Sequence, residues 1–309
     1  MVGPRRQTSG SHGQEGVPVT LIIEAVILGI LTGSVYALMS SGLTLIFGVM
    51  DIINIAQGIL VILGAYLSYT LEKYLHIDIM LGLLVTIPTL FLLGMGIEWA
   101  FMRRIRRDRV MISILVTFAV ALVIEGLLNF IFTANYVQLQ APYVDATIPV
   151  FGFYLPYIYV FAFILSVVLL TLLYFLVYRT KFGFGLRASM QDRTAAALIG
   201  IDVERVQTIT FGIGVALAAA GGMVFGATSP FNAATSYDLI SRLLVIIVLG
   251  GMGSLRGALF ASIGMLIISD VTDVVWSPVW ASTVFFALLI VLLLFRPRGL
   301  YGRLEGRKQ

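Results

Sequence analysis

Two histidines and no cysteines stand among 309 residues. A histidine or cysteine metal site, a disulfide and thiol chemistry therefore have almost no material, and no cofactor is expected. The sequence also contains no G-x-x-x-x-G-K-[ST] run, so the chain is not expected to cradle and split ATP by itself. Any energy for work must come from a partner or a gradient. What remains for chemistry is a small set of carboxylates in apolar surroundings. Glu125 is the strongest of them, mid-way along the apolar stretch 112–132, with Asn129 one helical turn later on the same face. Such a group is expensive at membrane depth, and it serves either as a proton relay or as a hydrogen-bonded contact between helices. Glu24 and Glu98 fall near helix ends, where a carboxylate is expected to reach the interface. Asp51, Asp270 and Asp273 sit at breaks or boundaries, and none of them demands a relay.

The elements that position these groups follow from composition. With 59% hydrophobic and 12% charged residues and a mean hydropathy of +1.01, the chain is far from soluble domains, in which about a quarter of residues are charged. Apolar windows fall near 20–40, 55–72, 79–100, 111–132, 156–178, 206–228 and 279–295. Each is about long enough to cross the hydrocarbon layer as a helix, the form in which a single segment satisfies its own backbone. The expected fold is all-α, a polytopic bundle of about 8 transmembrane helices. Of the 20 basic residues, five lie in each of three clusters, 103–109, 179–205 and 296–308. Lysine and arginine in short loops stay on the cytoplasmic side, so an even number of crossings separates any two clusters. The loop 133–156 carries Asp145 and no basic residue, which places it outside. Counting back from Arg103 also places the amino terminus outside, whereas Arg5 and Arg6 argue for inside. Residues 1–18 read as a disordered polar tail, 19–302 as one transmembrane domain, and 303–309 as a cytoplasmic tail. The net charge of +4 reflects orientation against an anionic leaflet and not nucleic-acid binding.

Two segments resist this scheme, 41–54 and 241–270. Parity requires the second to enter and leave on one side, as a re-entrant hairpin or as two short spans, with its glycine-rich break at 250–253 directed to the bundle interior. Small residues at helical spacing, Gly29 with Gly33 and Gly222 with Gly226, suit close helix packing. In the basic loop 179–205, LRASMQDRTAAALI (186–199) is rich in helix formers and Gly200 stands where a helix would stop. It reads as one short helix on the cytoplasmic face, resting on lipid headgroups or receiving a partner.

Four stretches, in order, carry a family resemblance: GSVYALMSSGLTLIFGVMDIINIAQG (33–58), RASMQDRTAAALIGID (187–202), VIIVLGGMGSLRGAL (245–259) and FRPRGLYG (295–302). Together they resemble the permease subunits of branched-chain amino acid ABC importers, the LivH/LivM type, over about 21–302. The chain departs from that pattern at 57–59, where the family usually shows a histidine followed by an acidic or small polar residue, and at Arg256, where a proline is frequent. The resemblance implies an inner-membrane permease, not an enzyme, that moves branched-chain or other hydrophobic amino acids. It implies cytosolic ATP-binding subunits, a second identical or homologous permease, and an extracytoplasmic solute-binding protein. It further implies that 187–200 is the coupling helix, with Arg187, Gln191, Asp192, Arg193, Ala196 and Gly200 meeting the ATPase. For the path we single out Asn54 and Gln57, three apart on one helical face, together with Glu125, Asn129, and the backbone of Gly250, Gly251 and Gly253. Two alternatives stay open: a permease for urea or short amides, and a proton-coupled carrier working through Glu125.

Overall fold

The computed structural model describes residues 19–105, 108–140, 144, 146–150, 153–296 and 299–301. The expected tails at 1–18 and 303–309, with Arg5 and Arg6, and the loop residue Asp145 lie outside the described residues. Eleven helices are found among those described: α1 (Val19–Met50), α2 (Gln57–Leu75), α3 (Ile79–Ala100), α4 (Arg109–Phe132), α5 (Tyr157–Arg179), α6 (Lys181–Gln191), α7 (Arg193–Leu198), α8 (Val203–Thr228), α9 (Ser236–Gly250), α10 (Leu255–Val275) and α11 (Pro278–Phe295). The outer loop adds one antiparallel hairpin, β1 (Thr147–Val150) with β2 (Phe153–Pro156), in register Thr147 to Pro156. Eight helices are long and apolar enough to cross a membrane. α2, whose outer turn carries Glu72 and Lys73, is less apolar and runs the same course against α8.

Local chemistry sets the helix ends. Asp78 opens α3 by accepting from Met80 N at 2.8 Å, Thr180 opens α6 from Gly183 N at 3.0 Å, and Ser254 opens α10 from Gly257 N at 3.1 Å. Each satisfies a donor that the first helical turn leaves without a partner. Pro278, which has no N–H to lose, starts α11.

The parity argument holds. Two spans, α4 and α5, separate the first and second basic clusters, and four, α8 to α11, separate the second and third. Segment 241–270 is thus parts of two helices joined by a four-residue turn, not a re-entrant hairpin. Segment 41–54 is corrected as well: α1 continues unbroken to Met50, and the true break is 51–56. With the clusters at the inner end, the Val19 end of α1 lies at the outer end.

α1 is the hub, packed against α5, α6, α8, α9 and α10. Side chains are replaced by hydrogen where backbones meet. A Cβ added at Gly33 would stand 2.8 Å from Ile263 Cα of α10, and one at Gly29 2.6 Å from Ile267 Cα. Gly222 lies directly on the Val61 carbonyl of α2. Helices that gain little from hydrophobicity in lipid associate through such close packing. Gly33→Ala should therefore cost about 1–3 kcal/mol by overpacking, read as a lower unfolding temperature in detergent. Gly96→Ala, on an exposed stretch of α3 with nothing within 4 Å, should unfold at the wild-type temperature; equal behaviour of the two would refute the close-packing account.

Candidate functional site

The break at 51–56 folds back into the bundle. α1 ends at Met50, and Asp51 turns the chain with φ 48°. By Gln57 the chain has returned to the level of Gly214, which also touches Gly42 of α1, eight residues before Met50. The segment thus climbs about 12 Å inward, at 1.5 Å per residue of α1. Part of its backbone is paired within the protein: Asp51 N donates to Phe47 O at 2.9 Å, Ile55 N to Thr117 Oγ1 of α4 at 3.1 Å, and Gln57 N to Asn54 O at 3.2 Å.

Asn54 and Gln57 are both fully buried. Asn54 Nδ2 donates to Gln57 Oε1 at 3.1 Å, and Gln57 Nε2 donates to Gly214 O at 3.1 Å. Among the described residues Asn54 Oδ1 has no partner. The two side chains therefore tie the start of α2 to the middle of α8.

A second break enters from the outer end. After Thr228 the chain leaves α8, and 229–235 descends so that Ser236, the first residue of α9, lies against Gly58. Its backbone too is paired, Val137 N to Phe231 O at 2.9 Å and Phe231 N to Val137 O at 2.8 Å. Phe231 is buried under Tyr66, ring centres 5.0 Å apart. The amino-terminal ends of α2 and α9 thus meet deep in the bundle, where their dipoles are positive. The glycine turn expected at depth is elsewhere. Gly251 (φ 94°) and Gly253 (φ 81°) close the α9–α10 turn at the inner end, beside Gly48 of α1 and under Gly299. Leu300 N and Tyr301 N donate to Leu249 O at 2.7 Å and Gly250 O at 3.1 Å. Positive φ is what made this position glycine.

Glu125 accepts from Tyr237 Oη of α9 at 2.5 Å; Asn129 is half-buried one turn further on. Glu98 does not reach the interface: it is fully buried, taking a hydrogen bond from Thr208 of α8.

The basic loop 179–205 holds two helices where one was expected. Asp192 ends α6 and caps α7, accepting from Thr194 N at 2.8 Å and Ala195 N at 3.0 Å. Gly200 (φ 86°) stops α7 as expected. Of the residues singled out here, Gln191 and Asp192 are exposed and Ala196 is buried. Arg187 and Arg193 turn toward the bundle. Arg187 donates to Tyr178 O at 3.3 Å, and Arg193 pairs with Asp51 at 3.1 Å. Burial pulls the Arg193 guanidinium below its usual range, with Asp51 opposing and Arg109 adding to the fall. Between α6 and α7 lies a groove of about 430 Å³, lined by Phe184, Arg187, Gln191, Asp192, Ala195 and Ile199 among others. Ile199, which lines it, and its chain neighbour Leu198 are 68% and 83% exposed. The sequence reading passed over these apolar residues, although a Leu-Ile pair ending a polar cytoplasmic helix was the available signal.

Residues 25–294 match the family described as branched-chain amino acid transport system / permease component. The chain belongs to this permease family. It is 30% identical over 298 residues to the probable branched-chain amino acid transport permease protein LivH of Methanocaldococcus jannaschii, covering 91% of this chain and 92% of that protein. The high-affinity permease protein LivH of Escherichia coli K12 is 27% identical over 302 residues, 91% of this chain and 95% of that one. BraD of Pseudomonas aeruginosa is 25% identical over 308 residues, 93% and 97%. Among solved structures, PsaBC from Streptococcus pneumoniae in complex with Fab superposes with a TM-score of 0.49 at 12% identity, over 91% of this chain and 97% of that one. Family membership and the apolar helices make this permease a multi-pass inner-membrane protein of a transporter family, not a member of an enzyme family.

Gln57→Leu strands the buried Asn54 amide and frees the Gly214 carbonyl, and should cost about 1–3 kcal/mol. Asp51→Asn, at a side chain 69% exposed, should cost at most about 1 kcal/mol. Thermal unfolding of the two purified variants checks the ranking, which fails if Asp51→Asn is the more damaging.

Proposed function

We propose that this permease is the membrane-spanning subunit of an ABC importer that carries branched-chain or other hydrophobic amino acids inward. The observation that carries the reading is the match at 25–294, which takes in both half-depth breaks and the coupling loop. Cytosolic ATP-binding subunits supply the energy, an extracytoplasmic protein delivers the solute, and a second permease completes the path. A permease of the other kind, LivM of Escherichia coli K12, is 26% identical to this chain over 151 residues, which supports a paralogous partner.

The groove between α6 and α7 suits ATPase docking, since it is cytoplasmic, concave and lined by exposed Ile199, next to exposed Leu198 in the chain. From there a rigid-body push has a route. Met190 of α6 abuts Gly48 near the end of α1, and Arg193 holds Asp51, the first residue of the break that leads to Asn54 and Gln57. Glu125 in this reading joins α4 to α9 through Tyr237 and is not a relay in transport.

The test is uptake by proteoliposomes holding the assembled complex, with labelled leucine, isoleucine, valine, alanine and urea. Leucine-class uptake should require ATP, and Glu125→Gln should keep concentrative uptake within about threefold of wild type. Uptake driven by a pH gradient without ATP, and abolished by Glu125→Gln, would replace the reading by a proton-coupled carrier; urea uptake alone would replace the substrate. Leu198→Asp with Ile199→Asp should release the ATPases on co-purification and leave the permease folded, whereas persistent association and transport would remove the groove from the mechanism.

A further inference from the structure

α9 is a core helix on one side only. Leu239, Leu243, Ile246 and Ile247 are buried, while Tyr237, Asp238 and Ser241 are exposed, with Arg242, Leu244 and Val248 half-exposed beside them. Tyr237, Ser241, Leu244 and Val248 recur every three or four residues and form one stripe of the helix surface, and Asp238 and Arg242 flank it, about a quarter-turn or more around the helix. The stripe lies within a membrane-spanning segment, Ala233–Gly250. The flanking pair is charged: the Asp238 side chain is 56% exposed and that of Arg242, packed against α11, 21%, and the two are joined at 2.9 Å. Ionised groups on a spanning helix do not face acyl chains; they face a water-filled cavity or another protein.

The geometry points to this stripe as the wall of the solute path, with the Asp238–Arg242 pair as a binding site for the head group of a zwitterionic amino acid. The proposal rests on the amino-acid permease reading and names its substrate contact. In such a head group a carboxylate and an ammonium are held two bonds apart, so they meet a side-by-side guanidinium and carboxylate in complementary register. Arg242 is already oriented for this. Its Nε is on Asp238 Oδ2, its Nη2 reaches Ser282 Oγ of α11 at 3.3 Å, and its plane lies 5.7 Å from the centre of the Phe285 ring. That leaves its end-on fork for a planar carboxylate. Glu125, held by the Tyr237 hydroxyl, borders the same stripe. Further along, Leu244 and Val248 supply an apolar track toward the inner end, suited to a hydrophobic side chain. A neutral amide such as urea offers the pair hydrogen bonds but no charge to match either member.

The chain has no native cysteine, so Ser241→Cys introduces a unique thiol on the stripe. In the assembled complex in proteoliposomes, with wild-type complex as background, a water-soluble methanethiosulfonate should modify it. Leu92→Cys, on the 65% exposed lipid-side position of α3, should stay unmodified. Leucine at millimolar concentration should slow the reaction at Ser241→Cys at least threefold. Isopentylamine and 4-methylpentanoate, each keeping one charge, should slow it less than 1.5-fold. Adding Asp238→Asn or Arg242→Gln should erase the leucine effect while both permeases still co-purify. An unreactive thiol, a rate indifferent to leucine, equal protection by the single-charge analogues, or loss of permease pairing in both charge variants would overturn the site, the last showing the pair to be an interface contact. Uptake of leucine by wild-type vesicles in the same assay separates the two levels. If uptake is present and the thiol indifferent, the site alone falls; if no amino acid is taken up, the underlying reading falls.

Discussion

Every irregular stretch in this bundle is governed by one constraint: at membrane depth a backbone amide or carbonyl without a partner costs several kcal/mol. Helices meet that demand internally, so a break survives only where neighbours complete it. At 51–56 Thr117 Oγ1 of α4 accepts from Ile55 N, with Ile53 O 3.3 Å away. At 229–235 the extended strand at Val137 pairs with Phe231 in both directions. One hydroxyl and one short loop thus allow two helices to begin half-way across the layer, and that placement brings the amino-terminal ends of α2 and α9 together. The polar side chains of the centre, Asn54 and Gln57, are where they are because these breaks are tolerated.

The same constraint decides what could be read in the sequence. The spans were legible because lipid leaves an isolated apolar segment of that length no alternative to a helix, and the basic clusters required an even number of them between landmarks. The breaks were not legible in position. Glycine drew attention to 250–253, a turn whose positive φ at Gly251 and Gly253 explains its composition, yet it closes the inner end. The deep breaks, DIINIA and SPFNAAT, contain no glycine, and their stability comes from Thr117 and Val137, residues remote in sequence. Asn54 and Gln57 were singled out as neighbours on one helical face, whereas Asn54 stands in the break before α2 and reaches Gln57 by a side-chain hydrogen bond.

Charge was the other blind spot. Arg187 and Arg193 look like surface residues by composition, but the packing of α6 and α7 on the bundle turns one to the Tyr178 carbonyl and the other to Asp51. Glu98, assigned to an interface by its distance from a helix end, is sealed between α3 and α8, because that end is covered by the start of α8. Arg242, passed over in a stretch defined by its glycines, is a cation on a spanning helix with only one neighbouring carboxylate in hydrogen-bond contact. In each case the deciding information is which face of a helix is covered, and periodicity alone does not supply that.

At 32 residues, α1 is a rod of about 48 Å in a layer whose hydrocarbon is about 30 Å deep. Upright, it would protrude by more than three turns; leaning, it must incline steeply. Its lower tip is lodged among Met190, Gly253 and Asp51. A slanted, stiff member pivoting on its crossing with α8 converts a small sideways nudge at that tip into a swing of the opposite tip, so leverage is inherent in the surplus length.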